Sequence, residues 1–129
     1  MLKEKIYTST AIIPDTSQIL SEAIQRNRQH NVTGILIYNG KHFMQLLEGP
    51  EQEVEYIYQK IIRDPRHDNL ELWSDILVPE RSFEEHPMKY CDHLVGEFEL
   101  PRNITDTDIK RMMLRVEMMR CHADWYSYA

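Results

Sequence analysis

The stretch from Val32 to Pro50 constrains this chain more than any other. Val32 to Tyr38 is an apolar, β-branched run, Asn39-Gly40 follows it, and Lys41 to Glu48 is a second run rich in apolar residues. Asn-Gly between two such runs is the strongest short hairpin signal, because the tight turn that matches strand twist needs positive φ at its centre. Gly49-Pro50 then stops the second strand and opens a helix. An antiparallel pair therefore sits in mid-chain, and the remaining elements must dock on it.

The flanking segments supply those elements. Lys5 to Thr10 reads as a first strand. Pro14 and Asp15 mark a helix start, with Asp15 as N-cap and Gln18 completing a capping box. Ile19, Leu20, Ala23, Ile24 and then Asn27 follow at helical spacing. Val54, Ile57, Tyr58, Ile61 and Ile62 give a second helix one apolar face, and Asp64-Pro65 ends it. Leu70 to Val78 is a fourth strand. Ser82 to Tyr90 is a fifth, and Pro87 inside it assigns it to an edge. The order β-α-β-β-α-β-β predicts an α+β, ferredoxin-like sandwich, with two helices on one face of a mainly antiparallel sheet. A C-terminal helix from about Thr105 to Met119 is expected to cover the other face with Ile109, Met112, Met113, Val116 and Met119.

Bulk properties narrow the function. The 129 residues fit one domain, and a formal net charge of -6 without a basic cluster argues against nucleic-acid binding. Two cysteines, Cys91 and Cys121, make no disulfide framework. No secretory leader and no apolar run of about 20 residues is present, so a cytoplasmic protein with no membrane contact is expected. Cys91, His93, Cys121 and His122 match no standard zinc spacing. A small hydrolase of ferredoxin-like architecture would want arginine and glycine after the first strand, and Thr8 to Pro14 holds neither.

Three expected inward positions carry polar side chains. Asn27 continues the inward stripe of the first helix. Gln45 shares a strand face with Phe43 and Leu47, and Tyr7 lies on the first strand. A buried amide without a partner costs about 1–3 kcal/mol. Two amides and a phenol can satisfy one another, as in a plain interaction module, or they can await a flat polar ligand.

Longer motifs bear on that choice. Ile6-Tyr7-Thr8-Ser9 lies on the first strand, and Asn27 stands six residues before Thr33. Val32-Thr33-Gly34-Ile35-Leu36-Ile37-Tyr38 leads to His42-Phe43-Met44-Gln45-Leu46-Leu47-Glu48-Gly49-Pro50, and Arg63-Asp64-Pro65-Arg66-His67 follows the second helix. Together these resemble the BLUF domain, a flavin-binding blue-light sensor, from Ile6 to about Met88. The resemblance implies FAD held non-covalently between the two helices. It implies that Tyr7 is the photochemical electron donor, that Gln45 bridges the phenol and the flavin, and that Asn27 holds the ring's polar edge. Ile24 is counted with the flavin-binding positions. Lys60, Asp64, Arg66 and His67 are expected near the ribityl chain or phosphates, with Lys60 and Arg66 favoured for phosphate by charge. Met88 matches a family methionine near the glutamine. Many relatives carry tryptophan two residues earlier, where this chain has His86; period two would put His86 and Met88 on one face, and His86 could make output pH-sensitive. The resemblance implies a sensor rather than an enzyme, with residues 1–100 photosensory and 101–129 a helical extension. Output would then pass to a downstream protein partner or through homo-oligomer contacts, with the last helix and Trp125, Tyr126 and Tyr128 as the lever.

Overall fold

The computed structural model describes residues 1–12, 16–92 and 105–128, the last turns from residue 121 onward by their backbone alone. Its elements are β1 Leu2–Ala11, α1 Ser17–Gln29, β2 Thr33–Tyr38, β3 His42–Gly49, α2 Glu51–Ile62, β4 His67–Val78, β5 Lys89–Asp92 and α3 Thr107–Tyr128. The sheet order is β4-β1-β3-β2-β5, with β5 parallel to β2 and the other pairs antiparallel. This is the expected α+β, ferredoxin-like arrangement, with α1 and α2 on one face and α3 on the other.

The hairpin forms where the sequence placed it, with one more residue in its loop. Gly40 takes φ 92°, and Asn39 Oδ1 accepts from the backbone N–H of Lys41 at 3.1 Å and of His42 at 2.7 Å. That side-chain turn uses Lys41, so β3 begins at His42. Gly34 marks a close approach between β2 and β3: a Cβ there would stand 1.9 Å from Leu46 O.

Period-two alternation splits the sheet into two cores. Tyr7, Leu36, Phe43 and Leu47 pack under Ala23 of α1 and Val54, Ile57 and Ile61 of α2. Ile6, Ile35, Ile37, Met44, Leu46 and Trp73 face the other way and meet Phe83, Leu114 and Met118. The second face also carries two buried carboxylates. Glu4 is 1% exposed, Glu48 is 0% exposed, and they stand opposite each other in the β1–β3 register. Glu4 Oε1 accepts from Arg111 Nη2 at 3.0 Å, and Glu4 Oε2 accepts from Arg115 Nη1. Glu48 accepts from Thr33 Oγ1 at 3.0 Å and from the N–H groups of Ser82 and Phe83, both at 2.7 Å.

Four expectations change. The fifth strand is Lys89–Asp92 rather than Ser82–Tyr90, because Glu48 and Asn27 hold residues 82–88 in irregular backbone; it does lie at an edge. His86 and Met88 are therefore not strand neighbours. The cover of the second face is made by the opposite side of α3. Leu114 and Met118 are buried there, while Ile109, Met112, Met113, Val116 and Met119 are exposed, since Arg111 and Arg115 must face Glu4. Thr16 is the N-cap of α1 and makes no side-chain cap bond; Gln18 Nε2 donates to Glu22 Oε1 at 3.1 Å, so no capping box forms. Pro14, Asp15, His93 and the side chains of Cys121, His122, Trp125, Tyr126 and Tyr128 lie outside the described residues.

Candidate functional site

The site is a cleft between α1 and α2 over the centre of the sheet. Its floor comes from two adjacent strands. Tyr7 and Gln45 are cross-strand partners in the β1–β3 register, and both point to the helix side. The Tyr7 hydroxyl donates to Gln45 Oε1. Gln45 Nε2 donates to Met88 Sδ at 3.6 Å. All three side chains are buried. Burial pushes the Tyr7 phenol well above its ordinary range, with the Arg26 charge acting in the opposite direction. The phenol thus stays protonated at neutral pH and is a donor.

Asn27 is fully buried at the end of α1. Its Nδ2 donates to Pro87 O at 2.8 Å, and its own carbonyl accepts from Val32 N at 2.9 Å. Gly34 N donates to His86 O at 3.1 Å. Residues 86–88 are therefore gripped in succession by β2, α1 and β3. The imidazole of His86 is half-buried, and burial lowers its pKa, with the Lys89 charge adding to this. The shift favours the neutral ring and carries any titration of His86 further to the acid side, with Glu85 acting in the opposite direction.

Apolar side chains wall the cleft: Ile19 and Ala23 from α1, Ile61 from α2, Leu36 and Phe43 from the sheet. Its rim is charged. Arg66 donates to both oxygens of Asp64, with Nη2 at 2.6 Å, and Nη2 also reaches Glu22 Oε2 at 2.7 Å. Hydrogen bonding to Arg66 holds Asp64 and Glu22 below the usual carboxylate range, and the same partners push Arg66 up. His67 is fixed at both nitrogens. Ile61 O at 2.7 Å can only accept, so Nε2 carries a hydrogen, and Ser9 Oγ lies 2.7 Å from Nδ1. Beyond the rim, Lys60, Arg63 and Pro65 line an open groove that shares Glu22, Asp64 and Arg66 with the cleft.

The expected residues divide accordingly. Tyr7, Gln45, Asp64, Arg66 and His67 line the cleft. Met88 and Asn27 sit behind its floor, and Lys60 stands in the outer groove. Ile24 packs on the apolar cluster under the helices rather than in the cleft lining. Sequence reasoning missed Arg26. It lines the cleft beside Tyr7, its Nε donates to Asn27 Oδ1 at 3.4 Å, and burial depresses its pKa. Among the described residues it makes no ion pair within 4 Å, so an anionic or strongly accepting ligand would complete it. A charge one residue before an inward asparagine was the available signal. Arg63 was missed as well, as part of an ordinary helix end.

Apolar walls, an amide–phenol floor, one half-buried cation and an outer groove with two further cations suit a flat heteroaromatic ring with a polar edge and an anionic tail. The comparisons point the same way. The family model described as BLUF, sensors of blue-light using FAD, matches residues 2–89. The blue light- and temperature-regulated antirepressor BluF of Escherichia coli (strain K12) is 50% identical over 76 residues, 58% of this chain and 19% of that protein. The photoactivated adenylate cyclase subunit beta of Euglena longa is 37% identical over 81 residues, 60% of this chain and 9% of that protein. The matched stretch thus spans less than a fifth of either relative's length. The dark-state structure of BlrB, a BLUF protein, superposes with a TM-score of 0.73 at 28% identity, covering 95% of this chain and 96% of that one.

Proposed function

The chain belongs to the BLUF family, the flavin-binding sensors of blue light, and on that footing we propose that it holds FAD non-covalently in the α1–α2 cleft and signals by rewiring the Gln45 hydrogen bonds. The observation that carries this reading is the Tyr7–Gln45–Met88 chain beneath the cleft. A flavin bound there supplies blue-light absorption and an excited state that accepts an electron. With the ring bound, Tyr7 would be the electron donor, and Gln45 Oε1, which its Oη already faces, would take the phenol proton while Nε2 gives up one of its own to the ring that received the electron. Both return in the dark, so no protein group is consumed.

Gln45 is suited to the switch because its amide NH₂ is spent on a thioether, a weak acceptor. Turning or tautomerising the amide costs little on the Met88 side and exchanges donor for acceptor toward the phenol. Arg26 holds the polar edge of the ring from the cleft lining, and Asn27, bonded behind it, orients its guanidinium. Ile19, Ala23 and Ile61 exclude water from its faces. His67, locked by Ser9 and Ile61, and Asp64, locked by Arg66, position the ring's exit toward the outer groove. Arg66 already serves two carboxylates, so Lys60 and Arg63 are the cations for the phosphates.

Residues 1–100 form the sensor in this reading, and residues 101–129 its output extension. Output is a change in contact with a downstream protein or with another subunit, in a cytoplasmic setting. No described helix is long and apolar enough to cross a membrane. The test is spectroscopic. The protein reconstituted with FAD should be yellow, shift its absorption slightly to the red under blue light, and recover in the dark. Tyr7→Phe should bind FAD and lose the shift. Failure to bind FAD, or an unaltered photocycle in Tyr7→Phe, would refute the reading.

A further inference from the structure

The outward side of α2 continues the line of the cleft. Tyr56 keeps 47% of its surface exposed. Tyr56, Lys60 and Arg63 are spaced four and three apart, so they form one stripe turned away from the buried Val54, Ile57 and Ile61. Lys60 Nζ lies over the Tyr56 ring, 4.8 Å from its centroid, and the same lysine lines the outer groove with Arg63. Tyr56 also meets the imidazole of His30, with ring centroids 5.0 Å apart and a 40° tilt. His30 is the C-cap of α1, and its Nδ1 stands 2.6 Å from Glu53 Oε2. A carboxylate can only accept, so Nδ1 carries the hydrogen and the imidazole is held in place. Two aromatic rings, one from the end of each helix that walls the cleft, thus stand beyond the cations of the groove.

We infer that Tyr56 and His30 form a platform for the adenine of FAD; the inference rests on the reading of the cleft as the flavin-ring site and extends it outward. The order of groups carries the match. FAD runs from the flavin ring through the ribityl chain and two phosphates to a ribose and an adenine. The protein runs from the apolar cleft through the Asp64–Arg66 rim and the cations Arg63 and Lys60 to two aromatic rings. Four residues separate Tyr56 from Lys60, about 6 Å along the helix axis, the span of a ribose between its phosphate and its base. A purine stacks on an aromatic side chain through its π-face and needs no dedicated hydrogen-bond partner. Lys60 is the link: turned toward a phosphate, it uncovers the face of Tyr56 over which it lies. Adenine is uncharged at neutral pH, so the Glu53 carboxylate on His30 does not oppose it. FMN ends at its phosphate and riboflavin before it, so FAD alone reaches the platform.

The experiment is fluorescence titration of the flavin-free full chain with riboflavin, FMN and FAD. Tyr56→Ala should weaken FAD about tenfold, the size expected for one stacked base, and leave riboflavin and FMN unchanged. Tyr56→Phe should bind FAD as wild type does, since the ring and not the hydroxyl stacks. The exposure of Tyr56 lets both variants fold. Proton NMR gives a second readout, which a merely structural role of Tyr56 would not move. Ring currents of a stacked adenine should shift the Tyr56 and His30 ring signals upfield with FAD, and these signals should stay in place with FMN. FAD affinity indifferent to Tyr56→Ala, or an equal loss for all three flavins, would overturn the platform while the cleft reading stands. Binding of none of the three to wild type would overturn the cleft reading itself, and the platform with it.

Discussion

The side chains around the cleft are tuned against one another. Tyr7 is kept neutral by burial, Gln45 has a donor resting on sulfur, and Arg26 is a half-buried cation whose Nε donates to an amide oxygen at 3.4 Å. A partly desolvated charge with no ionic partner among the described residues is a cost to the free protein, and a ligand with negative or strongly accepting atoms offsets it. Removing Arg26 should therefore separate stability from binding. Arg26→Met is expected to leave the flavin-free protein as stable as wild type or more so, and to weaken flavin binding about tenfold, or about 1.4 kcal/mol. Thermal melts of the apoprotein and fluorescence titration with riboflavin and FAD check this. Because Arg26 lines the inner cleft, both ligands should lose affinity equally. A loss confined to FAD would move Arg26 to the phosphates.

At the scale of elements, the β2–β3 contact and the segment before β5 decide the geometry. Gly34 lets β2 approach the Leu46 carbonyl more closely than any Cβ permits. That approach sets how far β2, and with it the 86–88 segment on Gly34 N, stands from Gln45. Gly34→Ala must push the strands apart against backbone. A loss of about 3 kcal/mol or more is expected, toward the upper end of overpacking costs. Urea unfolding with an unchanged slope would read it, and a midpoint within error of wild type would show that the strands separate freely. The segment 82–88 illustrates why sequence pattern misled. Its alternation is strand-like, but two N–H groups a strand would use are taken by the Glu48 carboxylate, so β5 forms only from Lys89.

Across the whole molecule, the two faces of the sheet are joined by one polar chain. Gln45 and Asn27 hold Met88 and Pro87 on the cleft side. The same segment begins at Ser82, whose N–H binds Glu48 and whose Oγ accepts from Arg115 Nη2 at 2.7 Å. Arg115 and Arg111 then clamp Glu4, so α3 is latched to the sheet by charge as well as by Leu114 and Met118. Glu4→Gln keeps the shape and removes the anion. Two partly buried arginines would lose their partner, at a cost of about 1–3 kcal/mol. This should lower Tm by about 5 °C. Amide exchange should rise in α3 before it rises in β1 or β3. Uniform loss of protection would show that α3 is not a separately latched element.

The hairpin, the two amphipathic helices, the sheet class and the Tyr7–Gln45–Asn27 set were all legible in the chain itself. Each rests on local rules: turn chemistry at Asn39-Gly40, periodicities of 2 and 3.6, and the oddity of an amide on an apolar stripe. Tertiary structure decided what depends on partners far apart in sequence. Glu4 and Glu48 look like surface charges until Arg111, Arg115 and Ser82 close over them, and that closure turns α3 so that its methionine stripe faces outward. Arg26 reads as an ordinary helix charge until the cleft wall forms around it. Local pattern states which residues prefer to be buried; only the three-dimensional pairing of charges states which of two apolar faces is buried and which is left to meet another molecule.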